Sequence, residues 1–396
     1  MAMSPLVFTA LLQATDSRTW CLFLPALPAA AAILALPMAY WNERRRAKPV
    51  FLTALTGSRL LLVLAFVALL PAMQPWSGSV LFFALAAYYL IFATGSGACL
   101  TWFQALLPAR VQGLYLGRRN AISMVTGCVC LVAISALLAH PDILGLTDVA
   151  TAGRVVFALA LAMTVLDWYI LSQVAHGRPA PPAPSLPLRQ RLRNRRLWTA
   201  AVHLVLAGAG GLVAAPVGLL VWYDLGLDAL QVGAIGIAAM IGGALGSWYG
   251  GGLADRIAPL RLLALGAAAQ TVGLAALLVV GGLGSYHHVG TGLLCAVGIA
   301  LAIAGSIPAA IAGMAQTKLN FANVPDGASG DFACIAMLSS LLGLVVLMSA
   351  GAIAWGLQQN AALLPAGMPS CLLLLALAAL TALAAWWKLR AAHAGR

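Results

Sequence analysis

The sequence predicts an all-α integral membrane protein made of two related six-helix halves, and three observations predict it. The first is the solvent the composition demands. Of 396 residues, 62% are hydrophobic and 8% are charged, and the mean hydropathy is +0.97. A water-soluble domain carries about 25% charged residues, so this chain cannot coat itself against water and must have lipid around it. The second is where the charge goes. There is one glutamate, and the net charge of +12 comes from arginines and lysines gathered in a few short loops. That is the signature of membrane topology rather than of nucleic-acid binding. The third is an internal echo between the halves, at an offset of 212 residues.

The elements follow from span length, since one crossing takes about 20 apolar residues. Apolar runs lie near 20–40, 50–72, 79–103, 120–140, 154–175, 198–222, 230–252, 260–282, 290–314, 331–355 and 368–388, which makes eleven. The loops between them alternate in charge. Residues 41–49, 108–120, 176–197, 253–261, 315–330 and 388–396 carry 19 of the 22 lysines and arginines. The opposite loops, around 73–78, 141–153, 223–229, 283–289 and 356–367, carry none. They hold Asp142, Asp148, Asp224, Asp228 and the pair His287–His288. The basic set therefore faces the cytoplasm and takes the carboxyl terminus with it.

Residues 176–197, AHGRPAPPAPSLPLRQRLRNRR, are proline-rich and then cationic, the composition of a linker. They divide the chain into an amino-terminal bundle (1–175) and a carboxyl-terminal bundle (198–396), and read as a tether along anionic headgroups. The echo supports that division. Glu43–Arg44 matches Asp255–Arg256, Ala39 matches Gly251, and the Pro108–Asn120 loop matches Asn320–Asp331. Duplicated six-helix units are what secondary transporters are built from. The second half has six spans, whereas the first has five plus SPLVFTALLQA at 4–14, too short to cross a bilayer. That stub reads as the end of a first helix that begins upstream; the alternative is an eleven-span chain with its amino terminus outside. No basic n-region or small-residue cleavage site marks a signal peptide.

With spans and echo in place, GGLADRIAPLR (251–261) is similar to the loop signature of the major facilitator superfamily, roughly Gly-x-Leu-Ala-Asp-Arg-x-Gly-Arg-Arg. Gly251, Leu253, Ala254, Asp255 and Arg256 match it. Ala258 stands where Gly is usual, and Arg261 alone remains of the terminal basic pair. WFQALLPARVQGLYLGRRN (102–120) resembles the loop between the fourth and fifth helices of some bacterial members. The resemblance implies two six-helix bundles around a central cavity, alternating access and often proton coupling. It also implies a monomer in the bacterial inner membrane whose partners are the bilayer, a small-molecule substrate and, in coupled members, protons. The span at 120–140 lacks the Gly-Pro signature of many drug/proton antiporters, which weighs against multidrug efflux.

The resemblance places Asp255 opposite the start of the fifth span, at Arg118, Arg119 and Asn120, where helix dipole and free N–H groups favour an anion. Asp255 with Arg256 and Arg261 is then a cytoplasmic gate, and Gly251 lets the helices approach; a solvated loop charge is the alternative. The mirror contact joins Glu43, beside Arg44, to the helix start at Gly330–Asp331, where Asp331 could instead cap the helix. Ionisable groups inside a membrane are costly and are candidates for function. Arg59 lies about 15 Å into the 50–72 run by helix rise, and Asp167 reaches a similar depth in 154–175. The two could pair, either as a proton-linked switch or as a structural ion pair. Tyr88, Tyr89, Thr94 and Ser96, with His203 in 198–222, are candidates to line a cavity. Gly242, Gly246 and Gly250 form a small-residue seam for close packing.

Seven cysteines are scattered, without CxxC or metal-ligand spacing, so neither cofactor nor metal is expected. No nucleophile–base set or phosphate loop is present, and the loops are too short for a catalytic domain. The expected function is a secondary transporter for a small solute. The competing expectation is a transporter-shaped assembly factor or receptor that does not transport.

Overall fold

The computed structural model describes residues 27–42, 45–61, 63, 64, 67, 77–139, 149–175, 187–214, 225–227, 229–287, 290–325, 328–359 and 370–394. Among these the ordered structure is helical throughout: α1 (Leu27–Leu34), α2 (Leu36–Asn42), α3 (Ala47–Leu60), α4 (Ser77–Leu106), α5 (Gln112–Ala139), α6 (Val149–Gln173), α7 (Leu188–Arg193), α8 (Arg195–Ala214), α9 (Ala229–Arg256), α10 (Pro259–His287), α11 (Thr291–Asn323), α12 (Ser329–Gln359) and α13 (Ser370–Ala394). Each of the eleven apolar runs contains helix. Stretches of α4 (Phe82–Leu106), α9 (Gln231–Arg256), α10 (Pro259–Gly282), α11 (Thr291–Asn323) and α12 (Ser329–Ser349) are long and apolar enough to cross a membrane.

The helices turn apolar surface outward. Val129, Met163, Val272 and Met348 are all more than half exposed, which water would penalise and lipid does not. Between helices the solvent therefore supplies no hydrophobic drive, and close van der Waals packing takes over.

The chain divides into two compact units. The first comprises Met1–Pro108, Val129–Trp198 and Val324–Ser340; the second comprises Ala109–Cys128, Thr199–Asn323 and Leu341–Arg396. This grouping departs from a simple cut at the central linker, because the beginnings of α5 and α12 each belong with the other half's helices. Small residues are the cause. In the first unit α4 meets the start of α12 at Gly97, where a Cβ would lie 2.5 Å from the Ser329 carbonyl oxygen. The same unit packs α3 on α4 and α6 through Val50, Phe51, Leu55, Ala98, Trp102 and Leu171.

In the second unit α9 carries two adjacent seams. Gly242, Gly246 and Gly250 lie against Ile303, Ile307 and Ile311 of α11, with a Gly242 Cβ only 2.6 Å from the Ile303 carbonyl oxygen. One position further round, Gly243 faces Met124, and Ser247 and Gly251 meet Gly113 and Gly117 of α5. The α5 seam is backbone against backbone: a Cβ on Gly113 would stand 2.6 Å from the Gly251 carbonyl oxygen.

These contacts predict opposite responses within one helix. Gly242→Ala should cost about 1–3 kcal/mol through overpacking and lower the thermal midpoint in detergent. Gly252→Ala, whose Cβ would meet nothing within 4 Å, should leave the midpoint unchanged or raise it by up to about 1 kcal/mol of helix propensity.

Candidate functional site

The site grows from the end of the α5 seam. Gly251 brings the last turn of α9 onto the first turn of α5, and Asp255 follows one turn later. Its carboxylate accepts two backbone hydrogen bonds, from Gly113 N–H to Oδ1 at 3.1 Å and from Leu114 N–H to Oδ2 at 2.9 Å. These are donors that a helix start leaves unpaired, and the helix dipole favours the negative charge there. The ammonium of Lys318, on α11, pairs with the same Oδ1. One carboxylate, 10% exposed, thus joins three helices. Charge-assisted bonds of this kind contribute about 1.5–3 kcal/mol each.

One sequence expectation is corrected here. The helix that receives Asp255 begins at Gln112 rather than near Arg118–Asn120, because its first turns are polar and glycine-rich and so escape a count of apolar residues. Arg118 lies more than a turn inside α5, exposed, with its guanidinium 5.4 Å from the Trp248 ring centroid on α9. Arg119 is exposed on the same helix, and Arg256 and Arg261 are exposed beside the junction. Lys318 was absent from the sequence reading. Its register offered the signal, since it continues the face of Ile303, Ile307 and Ile311 two turns on.

The first unit holds a different ion pair where the mirror contact was expected. Glu43 and Arg44 lie outside the described residues, as do the stub 4–14 and residues 176–186. Asp331, in the first turn of α12, pairs with Arg191 of α7, Nε to Oδ1 at 3.2 Å, and the two side chains are 2% and 8% exposed. Asp331 is the third residue of its helix, so it acts as a first-turn anion rather than as the capping residue. The tether expected over 176–197 is corrected for its second part. Residues 187–198 are folded, with Asn194 Oδ1 accepting the Arg196 N–H at 3.0 Å and Leu197 fully buried.

Arg59 and Asp167 form an ion pair between α3 and α6. Both α3 and α4 also reach the end of α6. Lys48 donates to the carbonyls of Ser172, at 2.7 Å, and Val174; the Trp102 indole donates to Ala175 at 3.0 Å. A cation and a donor thus satisfy helix-terminal carbonyls, a device the sequence reading did not assign.

Of the expected cavity residues, Tyr88 stacks on Phe92 at 6.2 Å and meets Tyr89 edge-on at 5.4 Å. The hydroxyls of Thr94 and Ser96 bond back to the carbonyls of Ile91 and Ala93. Ser96 borders a space of about 10 Å³ with Ala32 and Ala333, at most one water's worth. His203 is buried in α8, next to Leu204, whose carbonyl accepts the Gln316 amide at 3.3 Å.

The fold is shared with known proteins. A crystal structure of a bacterial homologue of the iron transporter ferroportin, outward-facing, matches with a TM-score of 0.59 and 14% identity over 99% of this chain and all of that one. The fucose:proton symporter of Escherichia coli matches with a TM-score of 0.59 and 16% identity, over 97% and 95%. A proton:xylose symporter bound to 6-bromo-6-deoxy-D-glucose matches with a TM-score of 0.63 and 15% identity, over 98% and 94%. At such identities the likeness is one of fold. No curated protein matches the sequence. The family model of the Major Facilitator Superfamily matches residues 2–323. With its lipid-facing helices, paired units and glycine-seamed loop signature, the chain belongs to the major facilitator superfamily of membrane transporters.

Proposed function

We propose that the protein is a secondary active transporter that carries a small solute across the bacterial inner membrane by alternating access, with its carboxyl terminus in the cytoplasm. The observation that carries this reading is the Asp255 junction. In a family of transporters, a carboxylate that holds three helix ends through two amide donors and one ammonium is suited to stabilise one conformation and to let go in another. The glycines of the α5 seam allow it to form, and both its partner types can be replaced by water when it opens. The basic loops support the orientation.

Proton coupling is part of the same proposal. Asp167 lies within an apolar run and faces a fixed cation, so protonation would remove half of the Arg59–Asp167 pair. A small solute that binds one conformation should raise the thermal midpoint, so a metabolite screen by thermal shift, followed by counterflow of each hit in proteoliposomes, tests the function. Hits that exchange across the membrane are expected; a full screen without a stabilising, exchanging solute contradicts transport and favours a receptor or assembly role.

Two variants test the parts. Asp255→Asn loses the ammonium pair and weakens two charge-assisted bonds, worth about 1.5–3 kcal/mol, so the conformational ratio should shift by about 10- to 100-fold. Cysteine labelling at the cytoplasmic ends of α5 and α9 reads that shift, and an unchanged pattern counts against a latch. Asp167→Asn combined with Arg59→Gln removes both charges. Loss of the response to a pH gradient with substrate binding retained is expected for a coupling pair, whereas a merely structural pair would leave that response intact.

A further inference from the structure

The Arg191–Asp331 pair takes its cation from the linker rather than from a membrane-crossing helix. Helix α7 has six residues, and no side chain caps its start at Pro187. A helix this short does not hold itself together in isolation, so its neighbours hold it. Arg191 points inward and is buried, while Arg189 and Arg193 on either side are exposed. The segment is fastened onward by the Trp198 indole, which donates to the Leu192 carbonyl at 2.6 Å, and by the Asn194 bond to Arg196.

On the receiving side, the start of α12 is held by α4. The Gln104 amide donates to the Val324 carbonyl at 3.1 Å, and Gly97 gives Ser329 its close approach. Asp331 then meets Arg191, and Cys334, one turn along and fully buried, lies within electrostatic reach of both charges. The contrast with Asp255 is informative. Its ammonium belongs to α11, so that junction opens only when a membrane-crossing helix moves. Arg191 lies on α7, ahead of α8 in the chain.

We infer that residues 187–194 are a releasable clasp: with Arg191 in place they hold the first turns of α12 on α4, and their withdrawal frees the start of α12 to move. The inference rests on the transport reading only for what the release serves. Withdrawal leaves Asp331 without this partner in a buried place, which disfavours the open form, so the clasp is closed by default and opens transiently.

Cys334 is a built-in reporter. In the full-length protein, reaction with N-ethylmaleimide is followed site by site by peptide mass spectrometry, with Cys99 and Cys295 as internal controls. Neither cysteine takes part in the clasp, and the readout needs no substrate, so its failure is distinct from a failure of transport. Labelling of Cys334 should be slow in the native protein and at least about tenfold faster in Arg191→Gln and in Asp331→Asn, because removing one partner of a buried pair raises the open population. Arg191→Lys should stay close to native. The inference is overturned if Cys334 stays as protected in Arg191→Gln as in the native protein, or if Cys99 and Cys295 accelerate in step with it, which marks general loosening. Should Arg191→Gln fail to fold, Asp331→Asn reads the same contact from the other side, and unchanged protection there is equally decisive against the clasp.

Discussion

A chain whose solvent is lipid has few places to put a charge, and here the three described carboxylates all carry a cation. Asp167 holds Arg59, Asp255 holds Lys318 and Asp331 holds Arg191. Each pair links elements far apart in sequence, so charge neutralisation also fixes which helix ends meet. Removing one partner from a buried pair costs about 3–5 kcal/mol, comparable to a large part of the stability of a whole domain. Within each unit that constraint places helix ends: α7 against α12 in the first, and α5 and α11 against α9 in the second.

The pairs are reached by helix geometry. On α9 the stripes Gly242–Gly246–Gly250 and Gly243–Ser247–Gly251 are one residue apart, about 100° round the helix, so α11 and α5 can both pack closely on the same rod. Asp255 sits one turn past Gly251 and completes the α5 stripe. Lys318 extends the α11 face that lies on the other stripe. Two neutral seams therefore converge on one charged point, and the ammonium and the amide donors arrive from different helices. Packing positions the electrostatics, and the electrostatics closes the packed ends.

Much of this was legible in the sequence, and the failures have physical causes. Lipid-solvated helices, the α9 seam and the carboxylate at the end of α9 are local patterns of composition and spacing. The start of α5 was misplaced because apolar length measures only the part of a helix that lies in hydrocarbon, and Gln112 and Gly113 precede it. Arg191 was missed because its linker has the composition of a solvated tether, and burial of one arginine among six basic residues leaves no mark in composition. Lys318 was recoverable only by following register from Ile303. Residue type likewise does not show that the hydroxyls of Thr94 and Ser96 bond their own helix.

On the reading proposed above, Asp255 holds the start of α5 to the end of α9 in one conformation and releases it in another. Spin labels at Val111 and Ala258, both exposed beside the junction, measure that separation directly by pulsed electron resonance in lipid. Two separations are expected in the native protein, with Asp255→Asn moving population to the longer one. A single separation, the same in both proteins, would contradict the account.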